Sequence, residues 1–549
     1  MSARFLKVHP DDDMLVALTD HAAGEVIQYN GHGLTLPTPV TAKHKFASRS
    51  IVQGELLRMY GITVARALAD IAPGEVLTTR NITHATGVVT SRDERRAWTA
   101  PDVSQWRDAS FMGYPRGNGQ VGTGNYWLVI PMVFCENHNL DTMRDAMLEE
   151  LGYKVQHSYQ TQTSQLIEML CDGKSISDLL QAQLATATEA RRERFFPNVD
   201  GLKFLRHEGG CGGTYEDADS LCGLFAGYIT HPNVAGATVL SLGCQKSTLQ
   251  RLKDEIHRRD PEFSKPLLMF EQQRLPSQEA MMSHAIKHTF VGLMGANEIV
   301  REPAPLEHLT IGVECGGSDG FSGLSANPAI GHCSDLIVGL GGSVILSEFP
   351  ELAGCEQELT DRCVDQQVAD RFLDIMRTYE YRAGITGGSF ETNPSPGNIQ
   401  DGLITDAIKS AGAAKKGGTS PVVDAFDYPE SATKKGLNLL CTPGGDVEST
   451  TAMAGAGANV MLFSTGLGTP TGNPVAPVIK VSSNTDLFER LPDIIDLNAG
   501  EVITGDETIE QVGQRMLEMV IETASGRYTT RAQSLGQDDF IPWKRGLTL

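Results

Sequence analysis

What most constrains the fold of this chain is a repeated triplet. A short unbroken apolar run comes first, then a turn of small polar residues, then a stretch with helical spacing. The runs are NYWLVIPMVF (125–134), ATVLSLG (237–243), LTIGVE (309–314), SVILSEFP (343–350), NLLCTPG (438–444) and ANVMLFSTG (458–466). Runs without in/out alternation belong to strands buried on both faces, and helices between them cover those faces. The expected class is therefore α/β with mainly parallel sheets.

In such sheets ligands bind beyond the carboxyl ends of the strands. Those positions hold Cys135 and Glu136, Cys244, Cys315 with Ser318 and Asp319, Glu348, Thr442 and Asp446, and Thr465 with Thr469. Three of these turns carry a cysteine. The turn after LTIGVE, CGGSDGFSGLSANPA, has almost nothing with which to pack a core, so it reads as a polar wall.

The first 90 or so residues differ. Short runs such as FLKVH, MLVALTD and EVLTTRNIT are separated by Gly, Pro and Asn turns, which predicts an all-β unit. The charged stretch SRDERRAWTAPDVSQWRD then reads as a linker. The expected division is 1–95 for the β domain, 96–110 for the linker, and 111–300 and 301–549 for two α/β subdomains. A polar helical stretch within 140–200 reads as an elaboration on that core.

A chain of 549 residues is too long for one ordinary core. A net charge of −22 argues against nucleic acid or anionic membrane as partner. An anionic substrate would then need a local cluster of cations or a metal. No run approaches the roughly 18 apolar residues of a membrane helix, and the N-terminal residues lack the pattern of a secretory signal. A cytoplasmic location is expected. Ten scattered cysteines without a CxxC pair read as free thiols, some of them metal ligands.

Neither glycine-rich candidate fits a phosphate cradle. GAAKKGGTS (412–420) lacks a lysine directly before Ser/Thr, and the third glycine of GLGTPTG (466–472) comes one residue late. Cys135, Cys211, Cys244 and Cys315 sit beside small residues at strand ends, where thiolates would bind iron, zinc or an iron–sulfur cluster; small buried thiols are the alternative. His207 precedes Cys211 in RHEGGCGGT, and His44 lies between Lys43 and Lys45. His284 and His288, four apart on a helix, read as a solvated face. NPSPGNIQDG (393–402) offers Asn393, Ser395 and Asn398 on a rigid loop suited to hydroxyls or carboxylates.

Taken in order, AKHKFAS, GNGQVGTGNYW, HEGGCGG, HPNVAGATVLSLGCQ, ECGGSDGFSGLSANPAIG, SEFPEL, NPSPGN, KKGGTSPV, STGLGTPTG and DDFIPWKRG resemble the altronate and galactarate dehydratases nearly end to end. The resemblance implies a small N-terminal SAF-type β domain and a large catalytic region. It also implies an iron-dependent lyase that converts a linear sugar acid to a 2-keto-3-deoxy acid, altronate before galactarate. Phe134 before Cys135 and the longer 140–200 segment depart from the galactarate pattern. Sulfolactate cleavage on a similar architecture, or sugar-acid binding without turnover, are the alternatives.

On that resemblance Cys135, Cys211, Cys244 and Cys315 are expected to hold Fe2+, alone or as a cluster, with Mn2+ a replacement. His44, Lys45 and His207 are expected in proton transfer or carboxylate binding. Ser318, Asp319, Asn393, Ser395, Asn398 and Thr469 are expected to bind hydroxyls, and the protein to be a homo-oligomer, a dimer.

Overall fold

The computed structural model describes residues 4–90, 92, 97–186 and 192–549. Its described N-terminal part holds only antiparallel strands: a sheet of Phe5–Leu6, Met14–Ala17 and Lys45–Ala47, a hairpin of Val26–Tyr29 with His32–Thr35, and a sheet of Leu56–Met59, Ile62–Ala67 and Ile82–His84. Beyond the linker region lie two wholly parallel sheets, whose strands are numbered together here in chain order.

The four-stranded sheet has the order β2-β1-β3-β4, from β1 (Tyr126–Pro131), β2 (Gly201–Phe204), β3 (Val234–Ser241) and β4 (Leu267–Glu271). The seven-stranded sheet runs β7-β8-β6-β5-β9-β10-β11. Its strands are β5 (Thr310–Cys315), β6 (Ser343–Leu346), β7 (Val422–Asp427), β8 (Gly436–Cys441), β9 (Val460–Thr465), β10 (Val478–Ser482) and β11 (Leu497–Asn498). Every residue of β1, β3, β6, β8 and β9 is buried, which is why these runs show no alternation. A small antiparallel sheet, Ser110–Pro115 with Val121–Gly122 and Glu302–Pro305, ties the start of the first α/β region to the start of the second.

The helices start where the sequence supplies caps. Thr214 and Asp217 form a reciprocal capping box for Tyr215–Thr230, and Thr248 caps Leu249–Arg259. The former helix packs against the latter and buries Leu221, Leu224, Phe225 and Tyr228. Helices Tyr159–Cys171 and Ile176–Gln181 of the expected elaboration bury no residue. Among the described residues no helix is long and apolar enough to cross a membrane.

Candidate active site

The carboxyl ends of β5 and β6 carry an unusually charged interior. Cys315, the last residue of β5, is buried, and Lys416 places Nζ 2.7 Å from its sulfur. Lys416 also pairs with Glu348, which follows β6 in a left-handed backbone conformation (φ 62°). The Cys315 thiol donates to Glu351 Oε2 at 3.2 Å, and Lys409 Nζ pairs with Glu351 Oε1 at 2.6 Å. Lys409 donates further to Asn393 Oδ1 at 3.0 Å. From the helix Asp446–Gly455, Ser449 donates to Glu314 Oε2 at 2.6 Å.

Burial and charge pull these groups in opposite directions. Burial pushes the Glu348 carboxyl up to about 7, against the pull of Lys416. Burial also pushes Glu351 upward, but the ammoniums of Lys409 and Lys416 outweigh it and hold that carboxyl below its ordinary value. Burial with Glu351 nearby drives Asp406 up to about 8 and Asp446 up to about 6. Burial opposes the charge of Lys416, yet Cys315 and the glutamates keep its pKa well above the ordinary lysine value.

Several polar atoms here are buried without a protein partner: Ser318 Oγ, Glu348 Oε1, Glu314 Oε1, Asn393 Nδ2 and both oxygens of Asp406. Buried polar atoms are nearly always satisfied, so such a concentration marks a place built for something polar. The turn fits tightly around it. A Cβ on Gly316 would lie 2.1 Å from Asp446 Oδ2, so only glycine lets β5 end there.

The N-terminal domain reaches this wall through its AKHKFAS loop. Lys43 Nζ lies 3.0 Å from Asp319 Oδ2, and its carbonyl packs against Gly320 and Gly402. Lys45 is fully buried and donates to Gly402 O (2.7 Å) and Lys43 O (3.1 Å); burial lowers its pKa to about 7. His44 between them is half-buried, with Nδ1 3.3 Å from Ala42 O.

The expected hydroxyl-binding residues divide into free and committed groups. Asp319 accepts from Ser322 N, Ser322 Oγ, Phe321 N, Ser483 Oγ and Asn484 Nδ2 besides Lys43, so both its oxygens are spent on holding the loop. Ser395 and Asn398 form a capping box, and Asn398 donates to Ser318 O at 2.7 Å. Thr469 is half-buried and shares a hydrogen bond with Thr471. Ser318 and Asn393 retain free polar atoms.

The expected metal ligands also divide. Cys135 lies just beyond β1, Cys211 in the loop after β2 and Cys244 in the loop after β3, all exposed. Cys315 stands in the other sheet, among lysines and glutamates. The trio Cys315, Glu348 and Glu351 keeps its ligand atoms within 4.8 Å, but Lys409 and Lys416 already supply two positive charges to it. A metal ion there would have to displace them.

His207 is buried and uses both ring nitrogens: Nε2 donates to Pro131 O at 2.6 Å, and Nδ1 accepts from Gly209 N at 2.9 Å. Burial lowers its pKa to about 4. Both ring nitrogens are thus engaged with backbone, and the ring bridges β1 and the Cys211 loop. Lys409, Lys416, Glu351 and Asp406 were not among the expected site residues. KKGGTS, set aside as a phosphate loop, was the available signal for Lys416.

A cleft of about 670 Å³ lies between the α/β regions, lined by Phe134, Cys211, Lys246, Tyr428, Glu448 and Trp543 among others. Glu448 belongs to the same turn as Asp446, and Gly444 of that turn approaches both Asn393 Nδ2 and Glu351 Oε1 to 3.6 Å when given a Cβ. The cysteine loops and the charged interior thus flank one stretch of chain.

Parallel sheets that gather buried charged and unpartnered polar groups just beyond their carboxyl ends place a candidate enzyme site there. Family models match almost the whole chain: the altronate/galactarate dehydratase SAF domain over residues 3–85, the D-galactarate dehydratase/altronate hydrolase second domain over 113–297, and the D-galactarate/altronate dehydratase C-terminal domain over 306–548. An altronate dehydratase of Bacillus subtilis (strain 168) is 31% identical over 546 residues, 99% of each chain. An altronate dehydratase of Escherichia coli (strain K12) is 30% identical over 551 residues, 100% of each. The galactarate dehydratase (L-threo-forming) of the same strain is 35% identical over 310 residues, covering 56% of this chain and 59% of its own. The chain belongs to the altronate/galactarate dehydratase family.

Proposed function

We propose that the protein is a hydro-lyase that removes water from a sugar acid, with altronate as substrate and a 2-keto-3-deoxy acid as product. The observation that carries this reading is end-to-end similarity to two altronate dehydratases; similarity to the galactarate enzyme covers little more than half the chain. The site's chemistry supports it. A C2 proton beside a carboxylate is weakly acidic, so the site must stabilise the charge that develops when it leaves and must protonate the departing C3 hydroxyl.

Lys409 lies beside the free amide of Asn393, a pair suited to the substrate carboxylate. Ser318 Oγ is free for a hydroxyl. Glu348, with a pKa near 7 and one oxygen unpartnered, is suited to accept or return a proton at neutral pH. His44 and Lys45 bring the N-terminal domain to the same wall, and His44 is the more accessible of the two for proton transfer.

The cysteine loops suit iron by their donors, since thiolates favour it over hard cations, and the buried Glu136 Oε1 beside Cys135 lacks a protein partner. Iron bound there would act as a Lewis acid toward substrate oxygens.

The test is anaerobic incubation of the purified protein, with and without Fe2+, with altronate, galactarate and sulfolactate separately. A 2-keto-3-deoxy acid formed from altronate is expected. Turnover of galactarate alone would move the substrate assignment, and sulfite from sulfolactate without any dehydration would overturn the reaction.

A further inference from the structure

We propose that the helical hairpin over residues 158–182 is the surface through which two copies of this chain meet, related by a two-fold axis. The inference does not depend on the reaction; it assigns a surface to the expected dimer.

The hairpin is well built yet covers nothing. Its first helix is Tyr159–Cys171 and its second Ile176–Gln181, and no residue of either is buried. Ser175 and Asp178 form a reciprocal capping box for the second. Gln162 Nε2 donates to Ala185 O at 2.8 Å, and Gln165 Oε1 accepts from Ala185 N at 2.9 Å, so the returning chain is strapped to the first helix. The His157 ring stacks on Tyr159 with centroids 5.5 Å apart. The two helices pack on each other.

What the hairpin leaves in water is apolar. Tyr159, Leu166, Ile167 and Leu170 fall at i, i+7, i+8 and i+11, which makes one stripe along a helix. Leu166 is half-buried, but Tyr159, Ile167 and Leu170 are 67%, 57% and 63% exposed. Ile176 and Leu180, four apart on the second helix, are 78% and 84% exposed. A stripe of this kind elsewhere in the chain faces inward, as Leu221, Leu224, Phe225 and Tyr228 do on Tyr215–Thr230.

Area and charge select the occupant. The five exposed residues leave on the order of 700 Å² in water, more than the roughly 600 Å² that bounds the largest apolar patch of a typical monomer. Covering them in two copies removes about 1,400 Å², the size of a standard stable interface. The chain carries a net charge of −22, so two copies attract only through a face poor in charge. This face qualifies. Residues 158–182 hold four charges, Glu168, Asp172, Lys174 and Asp178, and Glu168 lies nine residues from Tyr159, on the opposite side of its helix. A single lysine is too little for an anionic membrane, whose amphipathic binders carry a basic polar face. A two-fold axis sets the same patch against itself, and two helical hairpins so joined make a four-helix bundle.

The experiment is sedimentation equilibrium of the full chain across about 0.1–100 µM, with the double variant Leu170→Glu/Leu180→Glu and with Val291→Glu. Val291 is 64% exposed on the helix Gln278–Asn297, outside the hairpin. Native circular dichroism is required of both variants, and all the changed positions are exposed. A dimeric parent is expected, with at least a hundredfold rise in the dimer dissociation constant for the double variant and none for Val291→Glu. Hydrogen exchange over 159–182 should slow as the parent is concentrated. A parent of four chains that the double variant halves would equally place a two-fold contact on the hairpin. A parent that stays a single chain at the highest concentration would overturn the proposal. So would a folded double variant that associates as the parent does, or a single-chain parent that sediments with phosphatidylglycerol vesicles.

Discussion

Lys416 holds its ammonium 2.7 Å from the sulfur of Cys315 while also pairing with Glu348, so one buried cation serves the ends of two adjacent strands. With Lys409 on Glu351, it makes an acidic interior tolerable in a chain that is already strongly acidic. Breaking such an arrangement from one side leaves charge buried without its complement.

Replacing Lys416 by Met should therefore destabilise the protein by about 3–5 kcal/mol. The check is the urea unfolding midpoint. Adding Glu348→Gln to Lys416→Met should cost less than the sum of the two single changes, because the second removes the charge that the first stranded. Strict additivity would mean that the two groups are not coupled.

The buried ring of His207 predicts an acid limb. Its folded pKa is about 4, below the ordinary 6.5, so between those values the unfolded chain binds more protons and stability falls as pH falls. The loss should approach about 3 kcal/mol by pH 4 and then cease to grow. Unfolding curves of His207→Gln at pH 7 and pH 4.5 should show a smaller difference than those of the parent.

Ser318→Ala removes a buried hydroxyl with no protein partner, so stability should stay within about 0.5 kcal/mol of the parent. If that hydroxyl meets the substrate, KM for altronate should rise roughly tenfold, the equivalent of one hydrogen bond. Unchanged kinetics would remove Ser318 from the binding wall.

Gly316→Ala places a methyl 2.1 Å from Asp446 Oδ2, so the turn or the carboxylate must shift. A stability loss of about 1–3 kcal/mol is expected, with a fall in kcat as the turn after β5 shifts. A variant with parent-like unfolding and turnover would show that the turn relaxes freely.

The repeated apolar runs, free of alternation, were enough to call for buried parallel strands. The short Gly- and Asn-bounded runs before them were enough for an antiparallel β domain. Strand-end positions such as Cys135, Cys244 and Cys315 were legible for the same reason, since the topology of a parallel sheet sends its turns to one edge. Sequence could not say which cysteines share an edge: Cys315 reads like the others, but its strand belongs to a different sheet and its neighbours are lysines and carboxylates.

Nor could it pair Lys416 with Cys315, 101 positions apart, or show that Asp319 is saturated while Ser318 is free. Local pattern records what a residue does to its own strand or turn through burial and backbone preference. Charge compensation, hydrogen-bond saturation and the meeting of three cysteine loops depend on contacts between distant segments, and only the packed chain fixes those.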